Sequence, residues 1–232
     1  MNPEGMNVVR ISVVQMNTGP DVARNLDRAG QLLHDAAADG ARLAVLPENF
    51  AAMGADDAYR AALAETDGSG PLQEFLAETA AQLGIWIVGG TLPLTSADPA
   101  RPYSSCLVFD AAGRRRGRYD KIHLFDVDVP DSTESYRESS FTSPGAKPLR
   151  IDTPWGGLAV AVCYDLRFPE MFRLLANSGF SLLAIPSAFT HATGQAHWHS
   201  LLRARAIENL CYVGLRRRRA CIRETGVPSG IL

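Results

Sequence analysis

Histidine is scarce in this 232-residue chain, cysteine scarcer, and a basic excess is absent. The four cysteines (Cys106, Cys163, Cys211, Cys221) include no CxxC pair and are too few to staple a chain of this length, so neither a disulfide framework nor a zinc site is indicated. A formal net charge of -2 gives no electrostatic reason to expect nucleic acid or an anionic membrane as partner. The longest apolar runs, residues 84–90 and 158–163, fall far short of the roughly 20 residues a membrane span needs. The opening "MNPEGMNVV" also lacks a basic region followed by an apolar one. These absences lead to the expectation of a soluble, cytoplasmic protein acting on a small molecule, folded as a single domain over residues 1–232.

What is present is a steady alternation. Strand-like runs at 8–15, 43–46 and 85–89 are separated by helical patterns at 25–39 and 72–83, a β-α-β-α-β order. Asp39-Gly40 reads as a helix stop and Gly70-Pro71 as a helix start. Residues 105–110 and 115–119 flank "AAGRR", a turn joining antiparallel strands, so the sheet is expected to be mixed. A polar loop follows over 126–144, longer than most connections. A strand (158–162), a helix (169–178), a strand (181–185) and a long helix (196–210) complete the pattern, with no internal repeat.

Cys163 stands where an apolar run gives way to the helix that Pro169 opens. A side chain at such a strand-to-helix turn lies near backbone N–H groups that receive an oxyanion and favour a thiolate. Alone, a cysteine ending an apolar strand is more often a small buried hydrophobe. Any of the five histidines (His34, His123, His191, His197, His199) can pair with a thiol in principle. The stronger oddities are Glu48, ending a strand in "LAVLPENF", and Lys121, ending another in "GRYDKIHLFD". A carboxylate shielded by Leu46 and Phe50 can hold the thiol's proton, and a desolvated ammonium can stabilise an oxyanion.

Three segments decide between these readings. "PENF", "YDKIHLFDVDVP" and "AVCYDLRFPE" resemble, in order and spacing, the signature blocks of the nitrilase superfamily, and the resemblance covers nearly all of residues 8–213. It implies an α/β fold, the four-layer α-β-β-α sandwich, and a Glu-Lys-Cys triad carried by Glu48, Lys121 and Cys163. It further implies a second glutamate, for which Glu138 in "ESYRES" holds the place and Glu134 is the alternative. Cys163 would attack the amide carbonyl while Lys121 and the backbone N–H of Tyr164 receive the oxyanion, and water would then hydrolyse a thioester. Asp165, Arg167 and Glu170 are read as fixing the turn through ion pairs. No cofactor or metal is implied, and a homodimer is expected.

Within the superfamily, "KIHLFDVDVP", "PSAFT" and "TGQAHWHSLLRARAIEN" are most similar to small amidases. These remove, with release of ammonia, the terminal amide of deaminated glutathione, the preferred substrate, or of 2-oxo dicarboxylic acid monoamides. A redox or structural thiol protein and a catalytically inactive binding module remain the alternatives from other classes. The tail adds weight to the last, because "GLRRRRACIRETGVPSGIL" departs from the apolar strand expected after Val213. Residues 214–232 are therefore read as atypical and compatible with a frameshift, with the last core strands missing.

Overall fold

A computed structural model describes residues 9–54, 57–128 and 135–214. The first half begins β1 (Ile11–Val13), α1 (Val22–Ala38), β2 (Leu43–Val45), α2 (Asp57–Ala62), α3 (Pro71–Leu83) and β3 (Trp86–Val88). It continues through β4 (Leu92–Leu94), β5 (Tyr103–Phe109) and β6 (Arg115–Asp120). Strands β1, β2 and β3 pair in parallel, whereas β5 runs antiparallel to β3, β4 and β6, giving the mixed sheet expected. Helix α1 starts where the Asp21 carboxylate accepts the Arg24 N–H at 3.1 Å. It stops at Asp39-Gly40, with Gly40 at φ +81°. Pro71 occupies the first turn of α3.

The second half contains a short ribbon of β7 (Asp126–Asp128) and β8 (Ser135–Arg137), then β9 (Leu149–Thr153), β10 (Gly156–Val160), α4 (Pro169–Ala176), β11 (Leu182–Ala184), α5 (His191–Asn209) and β12 (Tyr212–Gly214). The last four strands form a second sheet, parallel except for β9. The stretch read as one polar loop over 126–144 contains regular structure among its described residues: Asp126 pairs with Arg137, and a 3-10 turn follows at Glu138–Ser140. Helix α5 begins five residues earlier than its apolar pattern suggested, because the Thr190 hydroxyl caps it by accepting the Thr193 N–H. Glu134 and residues 215–232, which carry the second-glutamate alternative and nearly all of the atypical tail, lie outside the described residues.

Alternation along each strand builds the layers. Leu43, Val45, Trp86, Val88, Cys106 and Val108 point to one side of the first sheet and pack against Leu158, Val160, Leu182 and Ala184 of the second. Their neighbours Ala44, Leu46, Ile87 and Leu107 point the other way, onto Ala29 and Leu33 of α1 and Leu72, Leu76 and Ala80 of α3. Phe172 and Leu175 of α4 and Trp198 of α5 cover the second sheet from outside. The order α-β-β-α is therefore present among the described residues. The ends of β2, β6 and β10 open onto one region.

Candidate active site

Glu48 follows β2, and its backbone course depends on Gly90. A Cβ on Gly90, which sits at φ +60°, would lie 2.1 Å from the Pro47 carbonyl oxygen. Only glycine allows the chain after β3 to approach that closely. Next to Glu48, Asn49 adopts φ +53° and donates its N–H to the Thr91 hydroxyl at 2.8 Å. The Glu48 side chain is thereby turned inward and is 4% exposed.

Lys121, one residue past β6, donates its N–H to the Ser104 carbonyl, and its carbonyl accepts the Gly145 N–H. The side chain is buried and its Nζ reaches three carboxylate oxygens: Glu48 Oε1 at 2.9 Å and Glu138 Oε1 and Oε2 at 3.0 and 2.8 Å. Burial alone would push the ammonium toward the neutral amine. The charges of Glu48 and Glu138 outweigh it, so the lysine's pKa lies above its ordinary value. Glu138 sits in the 3-10 turn, where its Oε2 also accepts the Phe125 N–H at 2.7 Å. Glu48 Oε2 accepts the Ala188 N–H at 2.8 Å, linking the first sheet to the loop after β11.

Cys163 opens a second 3-10 turn (Cys163–Arg167) after β10 and has φ +46°. A non-glycine residue in that region is strained, and such strain collects at functional turns. Its N–H donates to the Pro186 carbonyl at 2.9 Å. Burial raises the thiol pKa well above its ordinary value and the charge of Glu48 raises it further, while Lys121 and the Ala188 amide pull it down only in part. The expectation that the turn favours a thiolate is therefore corrected: desolvation and the neighbouring Glu48 carboxylate outweigh the N–H groups, and the resting group is a thiol.

The sequence candidates Glu48, Lys121, Glu138 and Cys163 thus converge, and Tyr164 adjoins them with its ring edge-on to Phe125 at 5.1 Å. Histidine is used elsewhere: His123 Nδ1 lies 2.7 Å from Asp165 and His197 Nδ1 lies 3.1 Å from Arg167. Asp165 fixes the turn as expected, though chiefly as a hydrogen-bond acceptor for Tyr119, Val162 and His123. Arg167 is reassigned. It makes no ion pair among those found in the described residues, lying instead over the Tyr164 and Phe189 rings. Glu170 is exposed on α4.

Glu48, Lys121, Glu138, Cys163, Tyr164 and Arg167 line a cavity of about 380 Å³ whose walls also include Arg60, Arg137, Phe125, Tyr136, Phe141 and Phe189. The arginines and aromatics were not singled out from the sequence. They come from α2, the ribbon and the residue before it, the end of the 3-10 turn and the loop before α5, which only the fold brings together. Arg137 is held by Asp128 through a two-pronged ion pair, whereas Arg60 lies over the Phe141 ring.

A family model described as carbon-nitrogen hydrolase matches residues 10–230. The chain belongs to the carbon-nitrogen hydrolase family. As a member it is a hydrolase of carbon-nitrogen bonds other than peptide bonds. It is 41% identical over 209 residues to the deaminated glutathione amidase of Yersinia enterocolitica, covering 90% of this chain and 72% of that protein. It is 38% identical over 208 residues to the omega-amidase NIT2 of Danio rerio, covering 90% of this chain and 73% of that protein. The crystal structure of Saccharomyces cerevisiae Nit3, a nitrilase superfamily member, superposes with a TM-score of 0.82 at 32% identity over 94% of this chain and 78% of that one. Among the described residues, no helix of this carbon-nitrogen hydrolase is long and apolar enough to cross a membrane.

Proposed function

We propose that this chain is an amidase in which Cys163 is the nucleophile, Glu48 the general base and Lys121 the oxyanion-stabilising cation. The observation that carries the reading is the placement of Lys121 Nζ between Glu48 and Glu138, in the cavity that Cys163 also lines. Because the resting thiol is protonated, attack requires Glu48 to take its proton as the sulfur bonds to the carbonyl carbon. The oxyanion forms beside the Lys121 ammonium and the Tyr164 N–H. Glu48 hands the proton to the departing nitrogen, leaving a thioester. A water molecule then gives its proton to Glu48, attacks the thioester and releases the acid, and the thiol recovers its proton. Glu138 keeps Lys121 charged and aimed. Since Glu48 and Lys121 hang from the first sheet and Cys163 from the second, the reading treats the chain as one domain.

Deaminated glutathione is the preferred substrate and 2-oxo dicarboxylic acid monoamides the rival, in line with what the relatives' names say of those proteins. The two differ in what leaves. Deaminated glutathione has no primary carboxamide, so cleavage of the amide that joins its 2-oxo dicarboxylic acid to the cysteine nitrogen expels cysteinylglycine, and the ammonia expected from sequence belongs to the monoamides alone. Arg60 and Arg167, on separate elements of the cavity wall, favour the substrate with two carboxylates. Mass spectrometry of products from both substrates tests the reading. Cysteinylglycine from the first is expected, and inertness toward both would reject it.

The chain is further proposed to be cytoplasmic, to bind no nucleic acid and to form a homodimer. The exposed Ile207, Leu210 and Tyr212 supply apolar surface for self-association. Sedimentation at micromolar concentration tests the last point.

A further inference from the structure

Lys121 and Cys163 belong to different sheets, and no backbone ladder sets the distance between them. Lys121 is anchored to Ser104 of β5, while Cys163 is anchored to Pro186 after β11. The apolar interface between the sheets supplies adhesion but little directional control. A polar tie across that interface is therefore informative.

Asp165 provides one. Its carboxylate is fully buried, and its two oxygens divide their partners between the two sheets. Oδ2 accepts the Val162 N–H, immediately before Cys163, at 2.8 Å and the Tyr119 hydroxyl, two residues before Lys121, at 2.6 Å. Oδ1 accepts the His123 N–H, two residues after Lys121, at 3.0 Å and lies 2.7 Å from His123 Nδ1. The Tyr119 hydroxyl itself accepts the Ile122 N–H at 3.3 Å, and the His123 ring stacks on Phe168 with centroids 3.7 Å apart. Residues on both sides of the lysine are thus held by the carboxylate that also holds the residue before the cysteine.

We propose that Asp165 is a positioning residue for the reaction, clamping the Lys121 segment to the Cys163 turn so that the ammonium meets the oxyanion formed at Cys163. The proposal rests on the roles assigned above to those two residues. It predicts damage to the chemical step, because misplacing a cation by a fraction of an ångström weakens an interaction made in the transition state more than one made with bound substrate.

The test measures kcat and KM per folded molecule, with the folded fraction taken from circular dichroism, for wild type, Asp165→Asn, Tyr119→Phe, Leu33→Ala and Cys163→Ala. Leu33, buried in α1 on the far side of the first sheet, controls for lost stability. An asparagine must turn an NH2 toward N–H donors on one side of the clamp. Asp165→Asn should therefore lose about ten- to a hundredfold in kcat with KM within roughly threefold. Tyr119→Phe, which removes one bond and keeps the carboxylate, should lose about fivefold in kcat, and Leu33→Ala should match wild type. Should Asp165→Asn not fold, Tyr119→Phe decides. Wild-type kcat in a folded Asp165→Asn or, failing that, in Tyr119→Phe, or an equal loss in Leu33→Ala, overturns the clamp while Cys163→Ala stays inert. Turnover persisting in Cys163→Ala overturns the site reading itself, and the clamp with it.

Discussion

Glu48 and Lys121, 73 residues apart in sequence, share a 2.9 Å hydrogen bond in the core. Their substitutions should separate stability from chemistry. Glu48→Gln leaves Lys121 paired with Glu138, so the variant should fold while turnover falls about 10²- to 10⁴-fold through loss of the general base. Lys121→Met leaves two buried carboxylates facing each other, and denaturant unfolding should show a loss of about 3–5 kcal/mol besides inactivity. Equal stability of the two variants would contradict this account of the pair.

Gly90→Ala should damage the site from outside it. The new Cβ would meet the Pro47 carbonyl at 2.1 Å in a left-handed conformation, costing at least about 1–2 kcal/mol in backbone strain before the clash is counted. Since Pro47 precedes Glu48, kcat should fall with Tm. Unchanged kcat in the folded fraction would detach Gly90 from catalysis.

Three strand ends were legible because Glu48 and Cys163 close apolar strands, and Lys121 follows a strand among Tyr119, Ile122 and Leu124, so each leaves a functional side chain where none is needed for packing. Glu138 was legible only through its place between known blocks. The arginine-bearing α2 and the β7–β8 ribbon were not, since six and three residues carry too little periodicity to register. β4 was hidden because Pro93 interrupts it, a residue sheets accept only where an N–H is not required. The direction of the Cys163 shift was misjudged for a different reason: the sequence displays the turn but not the depth of burial or the distance to Glu48.

Stability should decline above about pH 9. Burial raises the pKa of Cys106 strongly and that of Cys211 to about 11, and Cys163 is raised by burial and then by Glu48. The unfolded chain ionises these thiols near pH 8.5, so it releases protons that the folded chain retains. Raised folded pKa values therefore leave stability intact below that pH and erode it above. Each thiol kept protonated contributes a slope of about 1.4 kcal/mol per pH unit. Denaturant midpoints between pH 8 and 10 should fall less steeply in Cys106→Ala than in wild type, and parallel slopes would refute the assignment.

Arg60→Gln should act on binding. If Arg60 receives a second carboxylate, KM for deaminated glutathione should rise about tenfold, while KM for a monoamide with one carboxylate should stay near wild type. A rise shared equally by both substrates would show that Arg60 does not discriminate.

The central claim is that Cys163 carries the acyl group. Acid-quenched samples taken during turnover of deaminated glutathione, digested and read by mass spectrometry, should show the 2-oxodicarboxyl adduct on the peptide containing Cys163, absent from Cys163→Ala. Turnover by Cys163→Ala, or an acyl group on any other residue, would contradict it.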